Sequence, residues 1–406
     1  MNQTLILLIV TVSLIAMMVR PFALPEAVPT LGGATLLILD GALSPRAAFR
    51  AVGQGINVYL FLAGMMLLAE LALVQGVFSW AAHRLLQMAQ GSAIKLFTLI
   101  YALAVIITVL LSNDATAVVF TPAVAAMTAA AGVAEPLPYL LICAFVANAA
   151  SFVLPISNPA NLVLFDNKMP HLALWLHLFG LASVFSLVAT YVLLWLTQRG
   201  QIRSLVLKPE VMPSLTFGGK CSLAALGGVV LLLVLAAGLG WPLGATTFGL
   251  GIGCVGLVCM LVRQHPWPVV RGVSWGVLPL VAGLFVMVGA LDASGITGKV
   301  LRLGQGGIWS VGLGLAALTN VANNLPVGLF AKDMLLSANL AHRAAALIGV
   351  DLGPNLSVPG SLATILWLNV IRRHGVLISG WRFFALGLAI MPPALILAII
   401  GLSLSN

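Results

Sequence analysis

Two carboxylates stand where a chain this apolar would place a charge only for a purpose. Asp114 lies between the runs Val109-Leu-Leu and Val118-Val-Phe, and Asp351 follows Ile348-Gly-Val. Two roles are open for each. Asp is a favoured N-cap where a helix restarts. A carboxyl group away from water is also a natural place to load and unload a proton or cation. The second role is the stronger for Asp114, and the two are balanced for Asp351. Around them sit five amides, Asn113, Asn158, Asn161, Asn323 and Asn324. An amide offers a donor and an acceptor together, which suits a small neutral solute rich in hydroxyls. The competing role is to satisfy open backbone at helix breaks. Matching amide clusters in both halves of the chain favour ligand contact, with Ser157, Ser361 and Thr364 as weaker members. Helix N-termini at the breaks would point further N–H donors at the same place.

The elements that must hold these residues lie in a bilayer. Of 406 residues, 61% are hydrophobic and 7% charged, against roughly 25% charged in soluble domains. Lipid must cover most of such a surface, and no stretch is long enough for a separate soluble domain. A spanning helix needs about 20 apolar residues. Runs bounded by charge or by Pro and Gly give spans at 3–19, 22–40, 56–75, 96–130, 138–168, 172–197, 222–240, 245–262, 274–291, 307–336, 342–371 and 381–404. The first lacks the basic start and cleavage site of a signal peptide and reads as a retained span.

Four runs are too long or too broken for one helix. Segments 96–130 and 307–336 carry polar clusters, Ser112-Asn113-Asp114 and Asn320 with Asn323-Asn324, and read as re-entrant hairpins. Segments 138–168 and 342–371 break around Pro155 to Asn161 and around Pro354 to Ser361. Irregular backbone at membrane depth is tolerated only where protein or a cavity satisfies it. Each half thus runs as three spans, a hairpin, a broken span and a full span. Ser157, Pro159 and Leu162 match Ser357, Pro359 and Leu362 at an offset of 200. The fold expected is an all-α polytopic membrane protein of two inverted repeats. Each repeat has five transmembrane segments, one of them a broken helix, plus one hairpin, with substrate at their interface.

The bases orient it. The net charge of +9 comes from bases scattered singly or in pairs between spans, which argues against nucleic acid. Loop 198–221, with Arg199, Arg203, Lys208 and Lys220, is placed in the cytoplasm. Twelve bases then fall inside, among them Arg20, Arg84, Lys95, Arg263, Arg271, Arg372, Arg373 and Arg382. Seven fall outside: Arg46, Arg50, Lys168, Lys299, Arg302, Lys332 and Arg343. Both termini come out external, and 76–94 and 293–305 become amphipathic surface helices. Other patterns carry little. Gly251-x-Gly253-x-x-Gly256 has no strand before it and reads as helix packing. Gly295-Ile-Thr-Gly298-Lys299 lacks Walker A spacing. The six histidines fall near span ends with no metal spacing, the four cysteines form no CxxC, and no cofactor is implied.

The run Leu111-Ser-Asn-Asp-Ala-Thr-Ala-Val-Val-Phe-Thr121-Pro122, the tip Asn323-Asn324-Leu-Pro326-Val and the stretch Ile348 to Trp367 resemble the arsenite efflux permeases of the ion transporter superfamily. The likeness runs along the whole chain and is weakest in the first ninety residues. Two departures stand out: Ala147-Asn148, where such permeases often carry Ala-Asp, and Ser157-Asn158-Pro159-Ala160-Asn161, which is closer to the wider superfamily. The resemblance implies an elevator-type transporter of the inner (plasma) membrane. It would export arsenite, and antimonite by analogy, against inward proton movement, and confer arsenical resistance. Asp114 would be the leading proton carrier and Asp351 the second. Arsenous acid is itself a small neutral hydroxyl-rich solute. Tight thiolate binding would trap it, so the cysteines are expected to stand aside from transport. The scaffold is expected in 1–95 and 222–305, the transport domain in 96–197 and 306–406, and a cytoplasmic linker in 198–221. A soluble arsenite-stimulated ATPase is a further partner of some family members. The alternatives are a sodium/proton antiporter or a dicarboxylate- or citrate-like carrier on the same fold. An intramembrane aspartyl protease using Asp114 and Asp351 is disfavoured, because the GxGD signature is absent.

Overall fold

The computed structural model describes residues 3–165, 169–202, 214–295, 306–335 and 338–405. Lys168, Arg203, Lys208, Lys299 and Arg302 of the charge count, and most of segment 293–305, lie outside them. Among the described residues every regular element is helical.

The first half contains α1 (Gln3–Val19), α2 (Ala27–Leu39), α3 (Pro45–Gln54), α4 (Ile56–Val74), α5 (Val77–Ala89), α6 (Ala93–Leu110), α7 (Thr121–Ala130), α8 (Leu137–Ala149), α9 (Pro159–Phe165) and α10 (Leu172–Gln198). The second contains α11 (Phe217–Leu239), α12 (Leu243–Val262), α13 (Trp267–Gly272), α14 (Val277–Ala293), α15 (Ile308–Ala322), α16 (Asn324–Met334), α17 (Leu340–Leu352), α18 (Leu362–Arg373) and α19 (Gly380–Leu404). Six of these, α4, α6, α10, α11, α12 and α19, are long and apolar enough to cross a membrane. Large apolar side chains such as Leu39, Val19 and Met260 face outward at 77%, 70% and 70% exposure. Water would penalise that surface and lipid does not, so the chain is a multi-pass membrane protein.

Caps set many boundaries. Ser44, Ser92, Thr216 and Ser379 each accept a backbone N–H three residues on, at 3.0 to 3.3 Å. That satisfies donors a helix start leaves open. Gly240, at φ 70°, ends α11 in the left-handed region where a side chain would be strained. Asn339 caps α17 by accepting from the His342 N–H at 3.0 Å.

Three sequence readings shift. Span 22–40 shortens to α2, because Arg20 and Phe22 take positive φ around Pro21 and Pro25 follows. The short amphipathic α3 is absent from the spans: Arg46, Arg50 and Gln54 make it too polar to register as one. The offset of the broken spans is 203, not 200. The helix bounds 137–149 and 159 recur at 340–352 and 362. An offset of 200 aligns Ser157 and Pro159, at the start of α9, with Ser357 and Pro359, which fall three residues short of the same place before α18. At the helix-based register Asn148 corresponds to Asp351, Asn158 to Ser361 and Asn161 to Thr364.

Four helix pairs pack most extensively. Helix α4 lies on α12 and α2 on α14; α10 lies on α19 and α15 on α17. Where α4 meets α12, a Cβ on Gly251 would stand 2.8 Å from the Gly64 carbonyl oxygen, so the backbones touch. Gly253 and Gly256 have open space instead. Of the three-glycine pattern, only Gly251 packs a helix.

Candidate functional site

Both helix breaks lie in protein, and their polar groups meet. In the first, α8 ends at Ala149 and α9 begins at Pro159. In the second, α17 ends at Leu352 and two single 3-10 turns lead to α18. Asn148, Ser157, Asn158, Asn161, Asp351, Asn355, Ser361 and Thr364 are all at most 1% exposed.

Each hairpin tip is tied to the break in its own half. At the first tip the Asn113 N–H donates to the Ser157 carbonyl at 3.1 Å, and Ser157 Oγ donates to the Val109 carbonyl at 3.0 Å. At the second tip Asn323 Nδ2 donates to the Pro359 carbonyl at 3.0 Å. Asn320 Oδ1 accepts from Ser357 Oγ at 2.7 Å, while its Nδ2 reaches the Ala316 and Gly353 carbonyls. Asn323 holds φ 71° and accepts from the Leu325 N–H at 3.5 Å, which starts α16. Asn324 is buried beside it.

Two links then join the halves. Asn158 Nδ2 donates to Asp351 Oδ1 at 2.8 Å, and Asn158 Oδ1 accepts from the Ala160 N–H. Asn148 Nδ2 donates to Asn355 Oδ1 at 3.0 Å and to Thr364 Oγ1 at 3.2 Å. Asn355 Nδ2 returns to the Phe145 carbonyl at 2.9 Å. Ser361 Oγ lies 2.9 Å from Thr364 Oγ1 and accepts the Thr364 N–H, so it caps α18.

The capping roles left open for the two acids are not the ones the structure uses. Asp114 makes no side-chain cap; Ser112 Oγ accepts the Ala115 N–H at 3.2 Å instead. The Asp114 carboxylate is partly exposed and holds no partner among the described residues. Asp351 lies in the last turn of α17, the end where a helix dipole disfavours negative charge. Its Oδ2 is buried without a hydrogen-bond partner, as are Asn148 Oδ1 and Asn161 Oδ1. All three open atoms are acceptors.

Not every expected ligand group is free. Asn161 Nδ2 is committed to the carbonyls of Ser151, Leu154 and Pro155 at 2.9, 3.0 and 3.3 Å. Ser157 is committed to Val109 and Leu154. These two hold irregular backbone together. Sequence reasoning missed Asn148, Asn320 and Asn355 as site members. The register of 203 would have exposed Asn148 as the counterpart of Asp351. The cysteines are all free, and among the described residues no group of three His, Cys, Asp or Glu could hold a metal.

Residues 5–350 match the family model described as "Citrate transporter". The chain belongs to that family. It is therefore a membrane transporter rather than an enzyme. It is 29% identical over 406 residues to the arsenical pump membrane protein of Escherichia coli K12, covering 92% of each chain. It is also 29% identical to the arsenical pump membrane protein of Yersinia enterocolitica over 357 residues, 81% of this chain and 82% of that one. The solved Alcanivorax borkumensis YdaH transporter aligns with 91% of this chain and 86% of that one, at a TM-score of 0.47 and 15% identity. The sequence resemblance to arsenite permeases thus agrees with the two arsenical pump membrane proteins.

Proposed function

We propose that this transporter exports arsenite, and antimonite by chemical analogy, from the cytoplasm across the inner membrane, driven by inward proton movement. Likeness to arsenical pump membrane proteins over 92% of the chain is the observation that carries the cargo. The site suits it: amides and hydroxyls converge from two breaks and two tips, and they serve a neutral hydroxyl-rich solute without a fixed cation. Asn113, Asn323 and Asn324, nearest the tips, would contact the solute. Asn158, Ser361 and Thr364 shape the wall, while Asn161 and Ser157 hold the backbone.

The coupling reading rests on the acids. A buried carboxylate oxygen without a partner is costly, and a proton or cation arriving at Asp351 Oδ2 relieves that cost. Asp114, unpartnered at the first tip, remains the leading carrier. The helix bounds repeated at 203 and the mirrored tip-to-break ties support two inverted repeats. The movement is of the elevator type. The elements of 96–197 and 306–406 would carry the site past a scaffold of 1–95 and 222–305, with 198–221 as the link.

A second reading is favoured by the family description itself: an organic-anion carrier of the citrate type. Flux in proteoliposomes separates the two. Arsenite uptake driven by a pH gradient supports the first. Sodium-driven citrate uptake without arsenite movement establishes the second and removes the first.

A further inference from the structure

Two cavities run end to end along α1. The larger, about 620 Å³, is lined by Ile15 and Val19 of α1, by Arg20 just after it, by Pro359 at the second break, and by Arg372 and Arg373 at the end of α18. The second, about 300 Å³, is almost wholly apolar. It lies between α1, α14, α15 and α16, with Leu7, Val10, Leu284, Val288, Val321 and Phe330 among its walls. Ile15 lines both.

The charge and shape of the pair fit one class of ligand. Arg372 and Arg373 alone would read as helix-end bases that complement the dipole of α18. Arg20, however, arrives at the same cavity from a different element. It also pairs with Glu26 at 3.0 Å, which leaves the other two guanidinium groups as the stronger anion donors. All three fall on the side that the base distribution assigns to the cytoplasm. From Arg20 back to Val10 is ten residues, roughly 15 Å of helix, and half a bilayer core is also about 15 Å. A basic mouth at headgroup depth opening onto an apolar slot of acyl-chain length matches a phospholipid. It does not match a soluble anion, which has no use for the slot.

We propose that this cleft binds an anionic phospholipid of the cytoplasmic leaflet. The phosphate sits on Arg372 and Arg373 with Arg20 beside it, and one acyl chain lies along α1 past Ile15 toward Val10. Such a lipid stands between α1 and the elements that carry the amide network. Binding does not depend on which cargo the protein moves.

The test is lipid retention by the purified full chain, read by native mass spectrometry after exchange from vesicles of phosphatidylglycerol or phosphatidylcholine. The expected result is preferential retention of phosphatidylglycerol. In R372Q/R373Q that preference falls roughly thirtyfold, from about a decade or less per surface base. Val321→Trp narrows the slot from an exposed position and should also weaken retention, with both arginines intact. Unchanged preference in R372Q/R373Q overturns the proposal. So does competition by inorganic phosphate alone at millimolar concentration, which would make the mouth a soluble-anion site. Thermal unfolding of each variant at the parent temperature confirms that the comparison is between folded proteins.

Discussion

Asn158→Ala would strike the site at its narrowest connection. Its Nδ2 gives the 2.8 Å hydrogen bond to Asp351 Oδ1, and its Oδ1 caps the start of α9 through Ala160. A hydrogen bond to a charged group contributes about 1.5–3 kcal/mol, and a lost cap costs about 1 kcal/mol. Hydrogen bonds between transmembrane helices average lower, about 0.6 kcal/mol with a maximum near 1.7, because the unfolded chain in lipid also finds partners. Asn158 and Asp351 are each at most 1% exposed, so water offers little replacement, and the upper part of that range applies. The loss expected is about 2–3 kcal/mol. It should exceed that of Asn161→Ala in its effect on flux, because Asn161 binds only backbone carbonyls of its own break. The assay is a double-mutant cycle of Asn158→Ala with Asp351→Ala, by thermal unfolding in a fixed detergent. Removing both partners leaves no bare oxygen at either end, so the double variant should be more stable than the sum of the singles by at least about 1 kcal/mol. Additivity within about 0.5 kcal/mol, the behaviour of independent sites, would refute the link between the halves.

Further predictions rest on other contacts. Gly251→Leu should destabilise by about 1–3 kcal/mol through overpacking, since even a Cβ would stand 2.8 Å from the Gly64 carbonyl oxygen; Gly253→Ala, with open space, should not, and equal unfolding temperatures would remove the close α4–α12 approach. Ser361→Ala should cost about 1 kcal/mol as the lost cap of α18; no change in unfolding temperature would count against it. Replacing Cys143, Cys221, Cys254 and Cys259 by Ala together should leave most arsenite flux, and complete loss in folded protein would reinstate thiol coordination. Asp114→Asn should abolish pH-driven export while the protein stays folded, as read by flux and unfolding in parallel; unchanged flux would take Asp114 out of the coupling.

Sequence alone located the breaks and tips because a polar residue inside an apolar run is costly in lipid unless open backbone or a site uses it. Asp114, Asn323 and Asn324 stood out for that reason. It could not say which acceptor each amide would choose. Asn161 and Asn158 share a motif, yet one closes three backbone carbonyls and the other reaches across to Asp351. Spacing does not encode that difference; the path of the chain through Pro155 does. Asn148 and Asn355 escaped because each lies where helix is ending. Only the pairing of α8 with the second break brings them to 3.0 Å. Capping stayed open for the acids because Asp favours that position, and the caps there fall to Ser112 and Ser361.

The most direct test of the central claim is arsenite flux into proteoliposomes containing the pure chain, first under an imposed pH gradient and then under an imposed sodium gradient. The account predicts arsenite movement with the pH gradient alone, abolished in Asp114→Asn. Folded protein that moves no arsenite under either gradient, or moves it only with sodium, would contradict it.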